Sequence, residues 1–239
     1  MIVAIDGPAG AGKSTTAQML AARFGWAYVD TGAMYRAVAW LAHQANLDPQ
    51  RDPAAIARTA ETAHIVLGVQ SVTVGGQDVS AAIRTPAIAK AASQVAALPA
   101  VREAMVALQR RIGREGEART GGAVLEGRDI QTVVFPDAEV KVFLTADLTT
   151  RATRRTQELA RHDADTPDKS AAQGSAPSVE SSLQALSERD SRDENRTVAP
   201  LQAAPDAVLI STDGLTPEEV VQRIAQLIED LPTAASSSS

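Results

Sequence analysis

Short apolar runs alternate with stretches of helical periodicity along the chain. Largely apolar runs at residues 2–5, 123–126 and 140–144 predict buried strands, because strands covered on both faces lack a polar alternation. Shorter strands are predicted at residues 26–29 and 207–210. Helical stretches separate these strands, and such alternation is typical of an α/β fold with a parallel sheet.

Predicted helices span residues 14–24, 34–45, 86–97, 99–114, 147–161 and 180–193, and two more begin at Pro53 and after Thr216. Gly25 is placed to end the first helix, and the order Thr, Pro, Glu, Glu after residue 215 forms a capping box. A small β region, with a hairpin turn at Gly75 and Gly76, interrupts the helices. The polar stretch 162–178 predicts a mobile loop, and residues 233–239 predict a flexible tail.

A phosphate-binding loop lies between the first strand and the first helix. It consists of Gly7, Pro8, Ala9, Gly10, Ala11, Gly12, Lys13 and Ser14. A strand, a glycine loop and a helix in this order aim backbone N–H groups and a helix N-terminus at a phosphate chain. Lys13 is then placed to reach the β- and γ-phosphates, and the Ser14 hydroxyl to ligate Mg²⁺. The pattern predicts that the chain binds a nucleoside triphosphate.

Composition narrows the remaining function classes. The formal net charge of −6 argues against a general nucleic-acid binder. Absence of cysteine excludes disulfides, thiolate catalysis and cysteine-ligated metals. A strand at the N-terminus leaves no room for a signal peptide, and no apolar run approaches membrane-spanning length, so we expect no membrane partner and a cytoplasmic location.

Four further polar clusters follow predicted strands or lie on predicted helices. They occupy residues 30–36, residues 85–103, residues 126–129 and residues 188–201. Each cluster alone has an ordinary explanation; the alternating charges of residues 189–196, for example, are typical of an exposed, ion-paired helix face.

Together these clusters resemble bacterial-type cytidylate kinases, which are nucleoside monophosphate kinases of the P-loop class. The resemblance runs in one order over almost the whole chain. It includes residues 7–14, 30–36, 83–85, 91–97, 101–103, 127–129, 132–138 and 192–201. The phosphate loop occurs in many families, whereas the remaining blocks are specific to this one.

The resemblance implies transfer of the γ-phosphate of ATP to CMP or dCMP, with ATP and Mg²⁺ as cofactors. For the donor it implies residues 7–14 and Thr15, with Arg151 and Arg155. For the acceptor it implies Thr31 and Tyr35, with Arg36, Arg128 and Arg196 on the phosphate, Ser93, Arg102 and Asp129 on the base, and Asp193 on the ribose. Arg189 approaches the donor phosphates in the same scheme, and the catalytic set is Lys13, Arg36, Arg128, Arg154 and Arg192.

The resemblance also implies three structural parts, and since nothing in the sequence requires more than one copy, we expect a monomer. Residues 1–34, 111–150 and 200–232 form the P-loop core, residues 35–110 a monophosphate-binding module with the β insertion, and residues 151–199 a lid. The family usually has aspartate at the position of Glu126 and glycine at that of Gln131. If the turn at Gln131 requires a positive φ, a non-glycine residue there costs roughly 1 kcal/mol.

Two alternatives remain open from the residues themselves. An adenylate, thymidylate or shikimate kinase shares the loop and lid, but its acceptor site uses residues other than Ser93, Arg102 and Asp129. A regulatory nucleotide switch predicts an Asn-Lys-x-Asp tetrapeptide, which does not occur in this chain.

Overall fold

The computed structural model describes residues 1–69, 71–165 and 178–232. The strands are β1 (Ile2–Asp6), β2 (Ala27–Asp30), β3 (Ile65–Leu67), β4 (Val72–Val74), β5 (Gln77–Asp78), β6 (Ala123–Glu126), β7 (Val140–Thr145) and β8 (Val208–Ser211). The helices are α1 (Lys13–Phe24), α2 (Thr31–Gln44), α3 (Pro53–Thr62), α4 (Pro86–Val95), α5 (Pro99–Thr120), α6 (Leu148–Asp165), α7 (Val179–Glu194) and α8 (Pro217–Glu229).

A parallel sheet with the strand order β2-β6-β1-β7-β8 forms the centre of the described chain. Because side chains alternate across a strand, Val3 and Ile5 of β1 pack with α1 and α8, whereas Ile2 and Ala4 face the side covered by α5. Both faces of the sheet are therefore buried, as the apolar runs predict. The predicted α/β fold with a parallel sheet flanked by helices is confirmed.

A second apolar core lies outside this sheet. It joins buried residues of α2, α3, α4 and the first half of α5 to those of the small antiparallel sheet β3-β4-β5. Gly75 and Gly76 form the hairpin turn with φ values of 58° and 85°, as predicted. This core draws on residues 33–105.

Local signals fix most helix ends. Proline occupies the first turn of α3, α4, α5 and α8, and the capping box at Thr216 and Glu219 is present. Gly25 ends α1 with a φ of 69°. Within the described residues, every helix is too short or too polar to cross a bilayer.

Three predicted boundaries were wrong. Helix α2 begins at Thr31 because the Asp30 carboxylate accepts the Ala33 N–H and caps it there. Helix α5 continues past Arg114 to Thr120. Helix α6 continues to Asp165, so the predicted loop does not begin at residue 162. The rest of that loop prediction, residues 166–177, and the predicted tail, residues 233–239, lie outside the described residues.

Candidate active site

The phosphate loop connects the carboxyl end of β1 to the N-terminus of α1, as predicted. Gly7 has a φ of 144°, and a Cβ there would lie 2.1 Å from the Leu144 carbonyl oxygen, so only glycine fits. Gly12 caps α1 in the left-handed region with a φ of 91°. The Lys13 ammonium donates a hydrogen bond to the Pro8 carbonyl oxygen at 2.7 Å, which holds it over the loop.

Lys13 is almost fully buried, at 5% exposure. Burial, and secondarily the positive charge of Arg128, lower the pKa of the Lys13 ammonium, while Glu126 and Asp6 oppose this change. A bound polyanion stabilises the charged ammonium. The environment of Lys13 therefore fits a phosphate chain.

Glu126 ends β6 beside the phosphate loop, and the Tyr28 hydroxyl donates to its Oε1 at 3.0 Å. Burial, followed by the negative charge of Asp30, raises the pKa of the Glu126 carboxyl. A cation near this carboxylate relieves that cost. The described residues hold no cluster of three or more His, Cys, Asp or Glu side chains suited to a metal. Mg²⁺ commonly takes one or two protein oxygens together with substrate phosphates, and Ser14 with Glu126 fits that pattern.

Three arginines predicted to hold the acceptor phosphate line the same cleft as the phosphate loop. Asp30 Oδ2 accepts a hydrogen bond from Arg36 Nη2 at 2.9 Å, and Asp193 Oδ2 accepts one from Arg128 Nε at 2.9 Å. Arg36 Nε and Arg196 Nη2 are buried without a partner among the described residues. Oriented guanidinium groups with free N–H donors are suited to a bound oxyanion.

The far end of the cleft carries the residues predicted to read the base. Arg102 and Asp129 form a buried ion pair, with exposures of 3% and 5%. The Ser93 hydroxyl and the Tyr35 hydroxyl are buried beside the cleft without a hydrogen-bond partner in the described chain. Buried polar atoms without partners are rare in folded proteins, so these hydroxyls are candidates for contacts with a ligand.

Most predicted site residues meet in this cleft. Its walls include Ala9, Gly10, Gly12, Lys13, Ser14, Thr15, Thr31, Tyr35, Arg36, Ser93, Arg128, Asp129, Arg155, Asp193 and Arg196. The remaining loop residues, Gly7, Pro8 and Ala11, are not part of the cleft lining. Arg102 lies behind Asp129, with which it forms the ion pair.

Three predicted arginines lie elsewhere. Arg154 donates to the Thr212 hydroxyl and carbonyl oxygens, both at 2.8 Å, and lines an adjoining hollow beside Gly10 and Gly12. Arg192 is exposed and lines a neighbouring groove with Leu98, because it lies on a different face of α7 from Asp193. Arg151 is buried at the base of α6. Within the described chain, its guanidinium donates to the Ala146 and Ala9 carbonyl oxygens and to the Asp190 carboxylate.

Gln131 does not occupy a positive-φ turn; in the described chain only Asn46 and Ala199 have positive φ among non-glycine residues. The segment Ile130–Val134 forms a single π-helical turn instead. Gln131 is 1% exposed, and its side-chain amide bonds the Val142 carbonyl and the Ala204 N–H. The condition for backbone strain, a positive φ at Gln131, is therefore not met.

Sequence reasoning missed the contacts of Tyr28 and Asp30. Both residues belong to β2, which pairs with β6 so that Asp30 lies beside Glu126. The order of the strands places them at the site, and nothing within β2 itself indicates that order. The position of Asp30 before an apolar helix was a usable signal for its capping role.

A sequence profile described as "Cytidylate kinase" matches residues 3–230. A cytidylate kinase from Solibacter usitatus (strain Ellin6076) is 46% identical over 233 residues, covering 98% of this chain and 94% of that protein. A bifunctional pantoate ligase/cytidylate kinase from Prochlorococcus marinus (strain MIT 9313) is 46% identical over 231 residues, covering 95% of this chain and 43% of that protein. The chain thus spans less than half the length of this bifunctional relative.

A solved structure of an uncharacterized protein from Eubacterium ventriosum ATCC 27560 is similar in fold, with a TM-score of 0.50 at 12% identity. The match covers 96% of this chain and 99% of that one. At this identity the likeness concerns the fold alone. The sequence profile, in contrast, covers nearly the whole chain, and the Solibacter relative matches it almost end to end. This chain belongs to the cytidylate kinase family.

Proposed function

We propose that this chain transfers the γ-phosphoryl group of MgATP to CMP or dCMP, giving ADP and CDP or dCDP. One observation carries the proposal: a single cleft joins the phosphate loop to the Ser93 hydroxyl and the Asp129 carboxylate, with arginines between them. A site for a triphosphate, a site for a second phosphate and a polar pocket for a base are the three parts that such a reaction requires.

At the donor end, backbone N–H groups of the phosphate loop and the Lys13 ammonium bind the β- and γ-phosphates. The Ser14 hydroxyl and the Glu126 carboxylate would hold Mg²⁺. Bound there, Mg²⁺ would supply positive charge that offsets the negative charge of the transferring phosphate. Arg155 lines the same cleft as the loop and pairs with Glu158 at 3.1 Å, and it would add positive charge at the donor end.

At the acceptor end, Arg36, Arg128 and Arg196 bind the phosphate of the monophosphate. Asp30 and Asp193 orient Arg36 and Arg128 through the hydrogen bonds described above. The attacking group is an anionic phosphate oxygen, so no general base is needed. Catalysis then consists of alignment and charge stabilisation of an in-line transfer between two polyanions.

Cytosine presents an amine donor at N4 beside acceptors at N3 and O2. The Asp129 carboxylate and the Ser93 oxygen line the cleft and are suited to accept from the amine, and the Arg102 guanidinium holds the Asp129 carboxylate in place. Uracil presents the opposite pattern at two of these positions and leaves buried groups unpaired, at roughly 1–3 kcal/mol each. This polar matching favours CMP and dCMP over UMP.

The proposal includes the division into a core, a monophosphate-binding module and a lid, with the boundaries given above. The separate apolar core of residues 33–105 supports an independent module. Closure of both parts over the substrates would exclude water from the transfer. A monomeric state, a cytoplasmic location and the absence of nucleic-acid partners complete the proposal.

The first test is ADP formation from MgATP with CMP, dCMP, UMP, AMP or shikimate as the only acceptor. We expect high activity with CMP and dCMP, low activity with UMP and none with the others. Lys13→Met should abolish transfer, whereas Lys90→Met, an exposed lysine of α4, should leave it unchanged.

Each other outcome identifies a different error. Activity with AMP or shikimate in place of CMP contradicts the acceptor assignment while the phosphate-loop assignment stands. Slow ADP release without acceptor preference favours a nucleotide switch instead.

A further inference from the structure

A buried ion pair joins α6 and α7 at their base. Arg151 lies in the first turn of α6, and Asp190 lies in the last turns of α7. Arg151 Nη1 is 2.5 Å from Asp190 Oδ2, and the two residues are 7% and 9% exposed. Asp190 Oδ1 is buried without a partner in the described chain, so the Asp190 carboxylate depends on its hydrogen bond from Arg151.

The same guanidinium reaches the phosphate loop. Arg151 Nη1 also donates to the Ala9 carbonyl oxygen at 3.1 Å, and Nε donates to the Ala146 carbonyl oxygen at 3.0 Å. These bonds point the guanidinium at backbone oxygens, and Arg151 is not among the residues that line the cleft. Its position differs from that expected of a direct ligand of the donor phosphates.

Apolar packing at the same place strengthens the contact. Ala9 of the loop packs with Ala152 of α6 and Leu186 of α7 in a small buried cluster. A Cβ on Gly10 would lie 3.0 Å from Arg151 Cβ and 3.1 Å from the Arg151 carbonyl oxygen. The loop therefore rests directly on the backbone of α6, and its shape depends on where α6 and α7 lie.

We propose that Arg151 and Asp190 are positioning residues that hold the phosphate loop in its donor-binding shape through the Ala9 carbonyl. Helix α7 also carries Asp193, which bonds the acceptor arginine Arg128. The ion pair thus links the helix at the acceptor site to the loop at the donor site. This inference rests on the proposed function only in taking a nucleoside triphosphate as the ligand of the loop.

The decisive comparison is between Asp190→Asn and Arg151→Gln, each alone and together. The measurement is calorimetric binding of MgATP without acceptor, followed by KM and kcat. If the pair positions the loop, both single variants weaken MgATP binding by about five- to thirtyfold. The double variant should then bind MgATP no more weakly than the weaker-binding single variant, because both substitutions break the same ion pair.

A direct phosphate contact by Arg151 gives a different pattern. Asp190→Asn then leaves MgATP binding unchanged or tightens it, because the cation is released toward the phosphates, while Arg151→Gln still weakens it. That outcome overturns the proposal, as does unchanged binding in both variants. Glu194→Gln makes the same charge change on an exposed part of α7 and is the matched control.

Arg151→Lys keeps the test informative if the other variants do not fold. Lysine retains the charge beside Asp190 but lacks the forked donors that also reach Ala9 and Ala146. We expect weaker MgATP binding in this variant, and wild-type binding contradicts the role of the Ala9 contact. Failure of the wild-type chain to bind MgATP would instead contradict the proposed function itself.

Discussion

At the scale of single residues, we expect the Asp6 carboxylate to lower the stability of the fold at neutral pH. It is fully buried at the end of β1, where Oδ2 accepts the Gln131 N–H at 2.9 Å and Oδ1 has no partner in the described chain. Burial raises the pKa of Asp6 from 3.8 to about 6. Between pH 3.8 and about 6 the Asp6 carboxyl stays protonated in the folded state but ionises in the unfolded state. The free energy of unfolding therefore falls as the pH rises through this range and stays lower above it.

Asp6→Asn removes this ionisation and keeps an oxygen acceptor for Gln131. Each unit by which the pKa is raised corresponds to about 1.4 kcal/mol, and the unpaired buried amide N–H₂ group of asparagine offsets part of the gain. We therefore expect this variant to be more stable by about 1–2 kcal/mol near neutral pH. Denaturant unfolding at several pH values should show the gain disappearing toward pH 4. A gain that is equal at all pH values, or one also seen for the exposed Glu115→Gln, would contradict this explanation.

Ser93 and Ser182 should respond oppositely to removal of the hydroxyl. The Ser93 hydroxyl has no partner in the described chain, whereas the Ser182 hydroxyl bonds the Thr156 hydroxyl at 2.9 Å. We expect Ser93→Ala to lower kcat/KM for CMP about fivefold to tenfold without changing Tm, which is the effect of one lost hydrogen bond to substrate. Ser182→Ala should lower the free energy of unfolding by about 1 kcal/mol and leave CMP kinetics unchanged. A parallel loss of stability in both variants would assign Ser93 a structural role.

At the scale of elements, the Gln131 side chain connects the π-helical turn to two other segments by hydrogen bonds. Its amide bonds β7 at Val142 and the chain before β8 at Ala204, and both bonds are buried. Gln131→Met keeps the volume but removes two buried hydrogen bonds and the side-chain acceptor of the Ala204 N–H, so we expect a loss of about 1–3 kcal/mol. Denaturant unfolding measures it, with the exposed Gln226→Met as the control expected to change stability by less than about 0.5 kcal/mol. A loss as small as that of the control would mean that water or a neighbour satisfies these groups.

Elements were predictable from the sequence wherever the cause is local. Apolar runs located the central strands, and proline, glycine and the capping box located most helix ends. The end of α5 was missed because Gly116 argues against a helix, although Gly113 and Gly116 both allow close packing. A Cβ on Gly113 would lie 2.8 Å from the Phe135 ring, and one on Gly116 would lie 2.6 Å from Ala27 Cβ.

The candidate site was predictable as far as motifs determine it. Family membership and most cleft residues followed from the phosphate loop and the arginine clusters. The contact of Arg151 with Asp190 joins residues 39 positions apart, and that of Tyr28 with Glu126 joins residues 98 positions apart. Both depend on how helices and strands meet in space, which no local pattern encodes.

At the scale of the whole molecule, a net charge of −6 coexists with a cleft rich in arginine. Positive charge is therefore concentrated in the cleft where the proposed function brings two anionic substrates together, and closure of the surrounding parts would lower the repulsion between them. A groove lined by Gln94 and Leu98 on one side and Asn195 on the other separates α4 and α5 from the end of α7. Closure of the proposed monophosphate-binding module should narrow this groove.

The natural absence of cysteine makes this closure directly measurable. Spin labels on Gln94→Cys and Asn195→Cys should report a shorter mean distance when CMP and a non-hydrolysable MgATP analogue are both bound than with either alone. Each ligand neutralises only part of the arginine charge, so both are needed to favour the closed arrangement. Labels on Glu115→Cys and Arg223→Cys, exposed on the core helices α5 and α8, should show no change. An unchanged Gln94–Asn195 distance would mean that transfer occurs without closure, and water would then have to be excluded by the rigid cleft alone.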